Sequence, residues 1–337
     1  MRLENILALT LGKLVNNPFV NNFENIVFDS KNIKRGDLFV AFNEEEISDA
    51  ILNGAYGIIF DKPTQISDNE IAWIKVDNLE KALKRLLRFR LIDKNVTVYE
   101  SNEIVIKLAQ QVITESNFIA LIGNIKTIVK SLWNIEQDSI ILFCPTLIDK
   151  NIFARTIELS QNPYQHVDII EQTLFETSFI YNNIFYERQL ISPFFMPYLE
   201  ILLHLFKKEA IHYRLKKFSQ IDHFEAVFTN KKLEVKEFGT SDKVLIFEKN
   251  TSFIEQEINF LQRNATWAKI IYLIPNSHAN LRVNLNEINT IIVYKNESDI
   301  LRILKSSHFH FALILGVDKA MITKPISNQT EVSLFDL

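Results

Sequence analysis

Two short runs carry residue types that can meet a phosphate. Ile119-Ala120-Leu121-Ile122-Gly123-Asn124-Ile125-Lys126-Thr127 reads as an apolar strand, a glycine turn and a Lys-Thr pair. There the Lys126 ammonium can contact phosphate and the Thr127 hydroxyl can contact Mg²⁺. The second run is Phe28-Asp29-Ser30-Lys31, where a polar turn follows a short apolar strand. A hydroxyl and turn amides at a strand end can hold an anionic or carbonyl-bearing ligand, and the same residues also make a plain hydrogen-bonded turn. In the first run the residue before the lysine is Ile125. A phosphate cradle wants glycine there, because a branched side chain keeps the backbone away from the phosphate oxygens.

Glycine is scarce throughout. The chain has 337 residues and seven glycines, where average usage gives about two dozen. After Gly57 they stand far apart, at Gly123, Gly239 and Gly316. This excludes a complete phosphate loop or dinucleotide fingerprint.

The other candidates are weaker. His308 and His310 alternate around Phe309, but neither cysteine nor a close carboxylate accompanies them, so no metal site is assigned. His166 reads as part of a surface turn. Lys207-Lys208 and Lys216-Lys217 flank Tyr213-Arg214 and read as a solvated basic face. No nucleophile elbow is present, and no catalytic residue is assigned.

The elements that position the two runs alternate strand with helix. Strands are expected at 26–28, 38–42, 57–60 and 72–76, with helices at 47–54 and 79–90. A second series has strands at 96–99, 118–123 and 139–143, helices at 103–114 and 126–133, and a further helix at 153–159. A hairpin is expected over 178–186, turning at Asn182-Asn183, and then an apolar helix at 198–207. The third series has strands at 225–228, 233–236, 244–247, 268–274, 290–294 and 311–315, with helices at 253–263 and 297–305. This order implies an α/β protein with mainly parallel sheets.

Composition sets the class. Hydrophobic residues make up 47% and charged residues 23%, as in soluble globular proteins. A net charge of −4 gives no overall pull toward nucleic acid or anionic membrane. Cys144 is the lone cysteine, so no internal disulfide forms and a reducing compartment is expected. The start, Met1-Arg2-Leu3-Glu4, lacks the basic region of a signal peptide. The most apolar stretch, 191–206, is broken by Pro193, Pro197, Glu200 and His204, short of the ~20 apolar residues of a membrane span. A cytoplasmic protein is expected.

Three markers in order carry a family resemblance. Asp29-Ser30-Lys31 followed by Arg35-Gly36-Asp37-Leu38-Phe39-Val40-Ala41 resembles the uridine-binding domain of Mur ligases of the MurE and MurF type. Ala50-Ile51-Leu52-Asn53-Gly54-Ala55 and Val76-Asp77-Asn78-Leu79-Glu80-Lys81-Ala82-Leu83 match two later motifs of that domain. The resemblance implies three α/β domains: a uridine-type domain over 1–92, a shortened P-loop-like domain over 93–216 and a Rossmann-like domain over 217–326. A loose tail is expected over 327–337. It also implies that Asp29, Ser30 and Lys31 belong to a UDP-type substrate site, and that Gly123, Asn124, Lys126 and Thr127 mark a vestigial nucleotide site for Mg-ATP.

Several family pieces are missing. Asp222-His223-Phe224-Glu225 stands where the family places an arginine that reaches the ATP phosphates, and no counterpart exists for its Mg²⁺-binding acid. The implied function is a degenerate, binding or regulatory protein of peptidoglycan precursor metabolism. Its partner would be a UDP-muramoyl-peptide-type ligand or a cell-wall synthesis protein. Two alternatives stand beside it: an active ATP-dependent UDP-N-acetylmuramoyl-peptide ligase, and a protein-interaction scaffold. Glu331-Val332-Ser333-Leu334-Phe335 is somewhat similar to peptides that dock on the bacterial sliding clamp, but Glu331 stands where their glutamine would, and an ordinary terminus is the reading preferred.

Overall fold

The computed structural model describes residues 1–159, 167–215, 218–278 and 291–323. His166, Lys216-Lys217 and the tail motif at 331–335 lie outside them. The chain divides into two compact units, Met1–Gln161 with His204–Arg214, and Asn162–Leu203 with Leu215–Leu337.

The first unit holds two sheets. Its first sheet has β1 (Lys13–Leu14), β2 (Ile26–Val27), β3 (Leu38–Val40), β4 (Gly57–Phe60) and β5 (Ala72–Lys75) in the order β1-β5-β4-β3-β2. All neighbours are parallel except β1. Unbroken apolar runs form β3 and β4 because both sheet faces are covered. The accompanying helices are α1 (Leu3–Thr10), α2 (Glu45–Leu52) and α3 (Leu79–Ile92). Asn78 starts α3 by accepting from Lys81 N at 2.8 Å, the usual remedy for an unpaired first-turn N–H.

The second sheet is parallel, with β6 (Thr97–Glu100), β7 (Phe118–Leu121), β8 (Ile140–Phe143) and β9 (Ile157–Glu158) in the order β7-β8-β6-β9. It carries α4 (Glu103–Val112) and α5 (Ile125–Leu132). One apolar core joins both sheets. Leu86, Leu87 and Leu91 of α3 pack in the same cluster as Val129 and Leu132 of α5, Ile59 and Ile74 of the first sheet, and Ile141 and Phe143 of the second.

Residues 153–159 do not form the expected helix. A 3₁₀ turn at Lys150–Ile152 precedes Phe153, and Ile157–Glu158 lies along β6 as its edge neighbour. Leu159 N donates to the Glu100 carbonyl at 3.0 Å, and the Thr156 hydroxyl donates to the Glu100 carboxylate. β-Branched residues beside an open sheet edge pair with it in preference to coiling.

The second unit contains a three-stranded antiparallel sheet of β10 (Asp168–Gln172), β11 (Thr177–Tyr181) and β12 (Ile184–Gln189). Asn182 and Asn183 both take positive φ, 50° and 60°, the conformation of a two-residue hairpin turn. α6 (Met196–Lys208) follows. The last sheet has β13 (Glu225–Thr229), β14 (Lys243–Glu248), β15 (Ile270–Pro275), β16 (Ile291–Tyr294) and β17 (Phe311–Leu315) in the order β13-β14-β17-β15-β16. β13 alone is antiparallel. Its helices are α7 (Ile254–Asn264), α8 (Glu297–Ser306) and the short α9 (Ala320–Thr323). The strand expected at 233–236 is reduced to one bridge between Thr229 and Val235, because β13 pairs with β14 instead. Among the described residues no helix is long and apolar enough to cross a membrane.

Candidate functional site

A cleft of about 530 Å³ opens at the end of β2 in the first unit. Its wall runs from Ile26 to Asp29 and includes Asn25, Asn32 and Lys34; across from these stand Arg90 of α3 and Lys130, Trp133 and Asn134 of α5 and its end. Asp29 begins the 3₁₀ turn Ser30–Asn32 by accepting from Lys31 N at 3.2 Å. Its other carboxylate oxygen lies 3.6 Å from the Lys130 ammonium. The Lys31 N–H bond, and secondarily the Lys130 charge, hold the Asp29 carboxyl below the usual range against a partial effect of burial.

Of the three residues expected at this site, only Asp29 lines the cleft. Ser30 is buried, and its carbonyl accepts from Asn53 Nδ2 at 3.0 Å. The next turn is held by Asp37, which is buried and accepts from Lys34 N at 2.8 Å and Asn25 Nδ2 at 3.2 Å. Gly36 closes that turn at φ +100°, where a Cβ would lie 2.9 Å from Glu24 Cγ.

Sequence reasoning missed Arg90, Lys130 and Trp133. Trp133 meets Phe28 edge-on with ring centroids 5.3 Å apart, and the Arg90 guanidinium lies 5.9 Å from the Trp133 ring. Arg90 Nε also donates to the Trp133 carbonyl at 3.2 Å. A readable signal was the spacing Lys126, Lys130, Trp133, which puts two lysines and the half-buried Trp133 on one side of α5 and its end.

The loop between β7 and α5 brings Gly123, Asn124, Lys126 and Thr127 together. Gly123 takes φ +121°, and a Cβ there would sit 3.0 Å from Thr127. Asn124 Oδ1 accepts from Thr127 N at 3.1 Å and from Thr127 Oγ1 at 3.3 Å. The exposed N–H groups of a helix start are what bind a phosphate, and here the asparagine takes one of them. The Lys126 ammonium lies 3.4 Å from Glu46 Oε1 of α2 and 5.0 Å from the Phe42 ring centroid. Ile125 packs against the core instead of leaving bare backbone at the loop. Amide, ammonium and hydroxyl of this loop thus each hold a partner within the chain.

In the second unit His223 turns inward. Its Nδ1 lies 3.0 and 3.1 Å from the two Glu248 oxygens. Glu248 also accepts from Phe224 N at 3.0 Å and Asn250 N at 2.6 Å. Glu257 is fully buried beside it. Burial, then the Glu248 charge, pushes the Glu257 carboxyl well above its ordinary value. Among the described residues neither of its oxygens has a hydrogen-bond partner. His223 thus belongs to a buried carboxyl cluster and not to a ligand-facing clamp. His310 Nδ1 accepts from Lys269 N at 2.8 Å, and its ring lies 6.2 Å from that of His308. Among the described residues no group of three or more His, Cys, Asp or Glu could hold a metal ion.

No family model matches the chain. Over 91 residues it is 35% identical to the UDP-N-acetylmuramoyl-L-alanyl-D-glutamate–2,6-diaminopimelate ligase of Clostridium tetani, covering 25% of this chain and 19% of that one. Over 89 residues it is 33% identical to the UDP-N-acetylmuramoyl-tripeptide–D-alanyl-D-alanine ligase of Rickettsia prowazekii, with the same coverage of 25% and 19%. The matched stretch thus spans about a fifth of each relative's length. The structure of MurF from Acinetobacter baumannii aligns with a TM-score of 0.52 at 10% identity, over 93% of this chain and 95% of that one. The last comparison speaks for the fold alone. Sequence and fold point the same way: the chain is similar to the Mur ligases of the MurE and MurF type, in sequence over a quarter of its length and in three-domain α/β fold over most of it.

Proposed function

We propose that this chain binds a UDP-muramoyl-peptide-type precursor of peptidoglycan in the cleft at Asp29 and does not ligate it. The observation that carries this reading is the commitment of Asn124, Lys126 and Thr127 to partners inside the chain, beside an open cleft at the end of β2. Amide ligation through an acyl phosphate needs a positioned triphosphate, a metal ion and cationic clamps on the transferring group. The loop at Gly123 offers none of these without breaking its own contacts, and His223 faces a buried carboxylate where a clamp would be needed. What remains is recognition. The protein works in the cytoplasm as a binding or regulatory component of cell-wall precursor metabolism.

Calorimetric titration with a UDP-N-acetylmuramoyl peptide tests this reading. Saturable binding is expected, lost when Asp29 is changed to Lys. Absence of binding by any UDP-muramoyl compound would instead favour a scaffold that meets only proteins.

A further inference from the structure

The second unit has a cavity of its own, of about 420 Å³. Its floor is a row of three residues on neighbouring strands. Phe228 of β13 stands opposite Val244 of β14, and Val244 stands beside Phe311 of β17. Cross-strand partners project to the same face of a sheet, so one apolar row crosses these strands. Phe175, from the turn between β10 and β11, meets the row with its ring centroid 5.5 Å from Phe228 and 6.3 Å from Phe311. That turn is fixed by the Thr173 hydroxyl, which accepts from Phe175 N at 3.2 Å and Glu176 N at 3.0 Å. Phe238 and Trp267 extend the row, 4.9 Å from Phe228 and 5.8 Å from Phe311. Five rings thus form one unbroken series along the cavity. Trp267 is 70% exposed and Phe238 40%, so two large rings are left in water at its mouth. Beside them Gly239 takes φ +85°, and a Cβ there would meet nothing within 4 Å.

We infer that this cavity binds a small neutral aromatic molecule carrying one N–H or O–H donor, of the indole or phenol class. Among the described residues that line it none is charged, and a charged ligand would surrender its hydration there without a partner. A ring entering the series finds both faces and edges of other rings, the arrangements that aromatic pairs prefer. Asn264, the last residue of α7, donates Nδ2 to the Phe260 carbonyl at 2.9 Å. Its Oδ1 is left as an acceptor on the lining, beside the hydroxyl of Ser241. The volume falls in the lower part of the roughly 300–1,000 Å³ of small-ligand sites, which suits one or two fused rings and is too small for a docked helix. Val244 and Phe311 lie at the starts of β14 and β17, so the cavity sits at the amino ends of parallel strands. Open α/β sheets take nucleotides and substrates outside the carboxyl ends. The cavity is therefore a separate site. It shares no residue with the cleft at Asp29, and it stands or falls independently of the proposed function.

The test is saturation-transfer NMR on the full chain with three probes: indole, cyclohexanol and N-acetyltryptophanamide. Indole is expected to bind saturably and about tenfold more tightly than cyclohexanol, a saturated ring that also carries a donor. Trp267→Ala is expected to weaken indole about tenfold, and Trp267→Phe to keep most of the affinity. Ser241→Trp, which fills the cavity from its lining, is expected to abolish binding. Trp267 is largely exposed, so an unchanged urea midpoint for Trp267→Ala shows that the fold is kept even if Ser241→Trp disturbs it. Absence of saturable indole binding overturns the inference. Equal affinity for indole and cyclohexanol overturns it too, because apolar burial alone then explains the contact. Undiminished indole binding in Trp267→Ala places the ring elsewhere and has the same consequence. Much tighter binding of N-acetyltryptophanamide than of indole overturns the small-molecule source, since the ring is then one carried by a polypeptide.

Discussion

The turn after β2 and the turn after β7 are built on one plan. Each follows a short apolar strand, and in each a side-chain oxygen, of Asp29 or of Asn124, accepts a backbone N–H of the next turn. They differ in what is left over. Around Asp29 the neighbouring cations, Lys130 and Arg90, line an open cleft. Around Asn124 the cation is drawn to Glu46 and Phe42, and the hydroxyl turns back on the cap. The same residue types that announce a phosphate site in a sequence make a closed turn when each finds an internal partner. What decides is the remaining hydrogen-bonding capacity, not the residue list.

Breaking the floor beneath both turns is expected to have the largest effect. Leu132 is fully buried in the shared core. Leu132→Ala is expected to cost about 2–5 kcal/mol, read as a lowered urea midpoint with both sheets of the first unit melting in one transition.

Gly123→Ala comes next. The backbone stands at φ +121° and the new Cβ meets Thr127 at 3.0 Å, so a loss of about 1–3 kcal/mol is expected. Asn124→Ala removes the cap of α5 and is expected to cost about 1 kcal/mol, whereas Asn124→Asp keeps it. Lys126→Ala removes only a half-exposed pair and is expected to cost less than about 1 kcal/mol. If Lys126→Ala proved the most damaging of these in a urea series, the closed-turn reading of this loop would be wrong.

The second unit offers a contrast in pH response. Asp29 has a lowered carboxyl, so its small contribution is present above its unfolded value and is lost as pH falls. Glu257 has a raised one, so the native state keeps a proton that the unfolded chain releases. Its contribution is complete below the ordinary glutamate value and declines as pH rises through the raised value. Glu257→Gln, neutral at every pH, is expected to flatten that decline in denaturation curves taken from mildly acidic to alkaline pH.

Much of this was legible in the chain. Asn78, Asn102, Asn124 and Asn296 each cap a helix start that periodicity also marks. The buried strands at 38–40, 57–60 and 311–315 announce themselves as unbroken apolar runs. The stretch 153–159 was misread because its partner, the open edge of β6, is supplied by the tertiary fold and leaves no local trace. The cleft was half legible: Asp29 sits in a recognisable motif, but Lys130, Trp133 and Arg90 reach it from distant positions in the chain. The inward turn of His223 could not be read at all, since it depends on Glu248 meeting it from β14.

On the proposed function, the loop at Gly123–Thr127 offers no seat to a triphosphate. The most direct test of this is ADP release by the purified chain given Mg-ATP, a UDP-N-acetylmuramoyl peptide and an amino acid or dipeptide acceptor. No release above background is expected, in the unaltered chain and in Lys126→Ala alike. Turnover that depends on the acceptor and disappears in Lys126→Ala would contradict it.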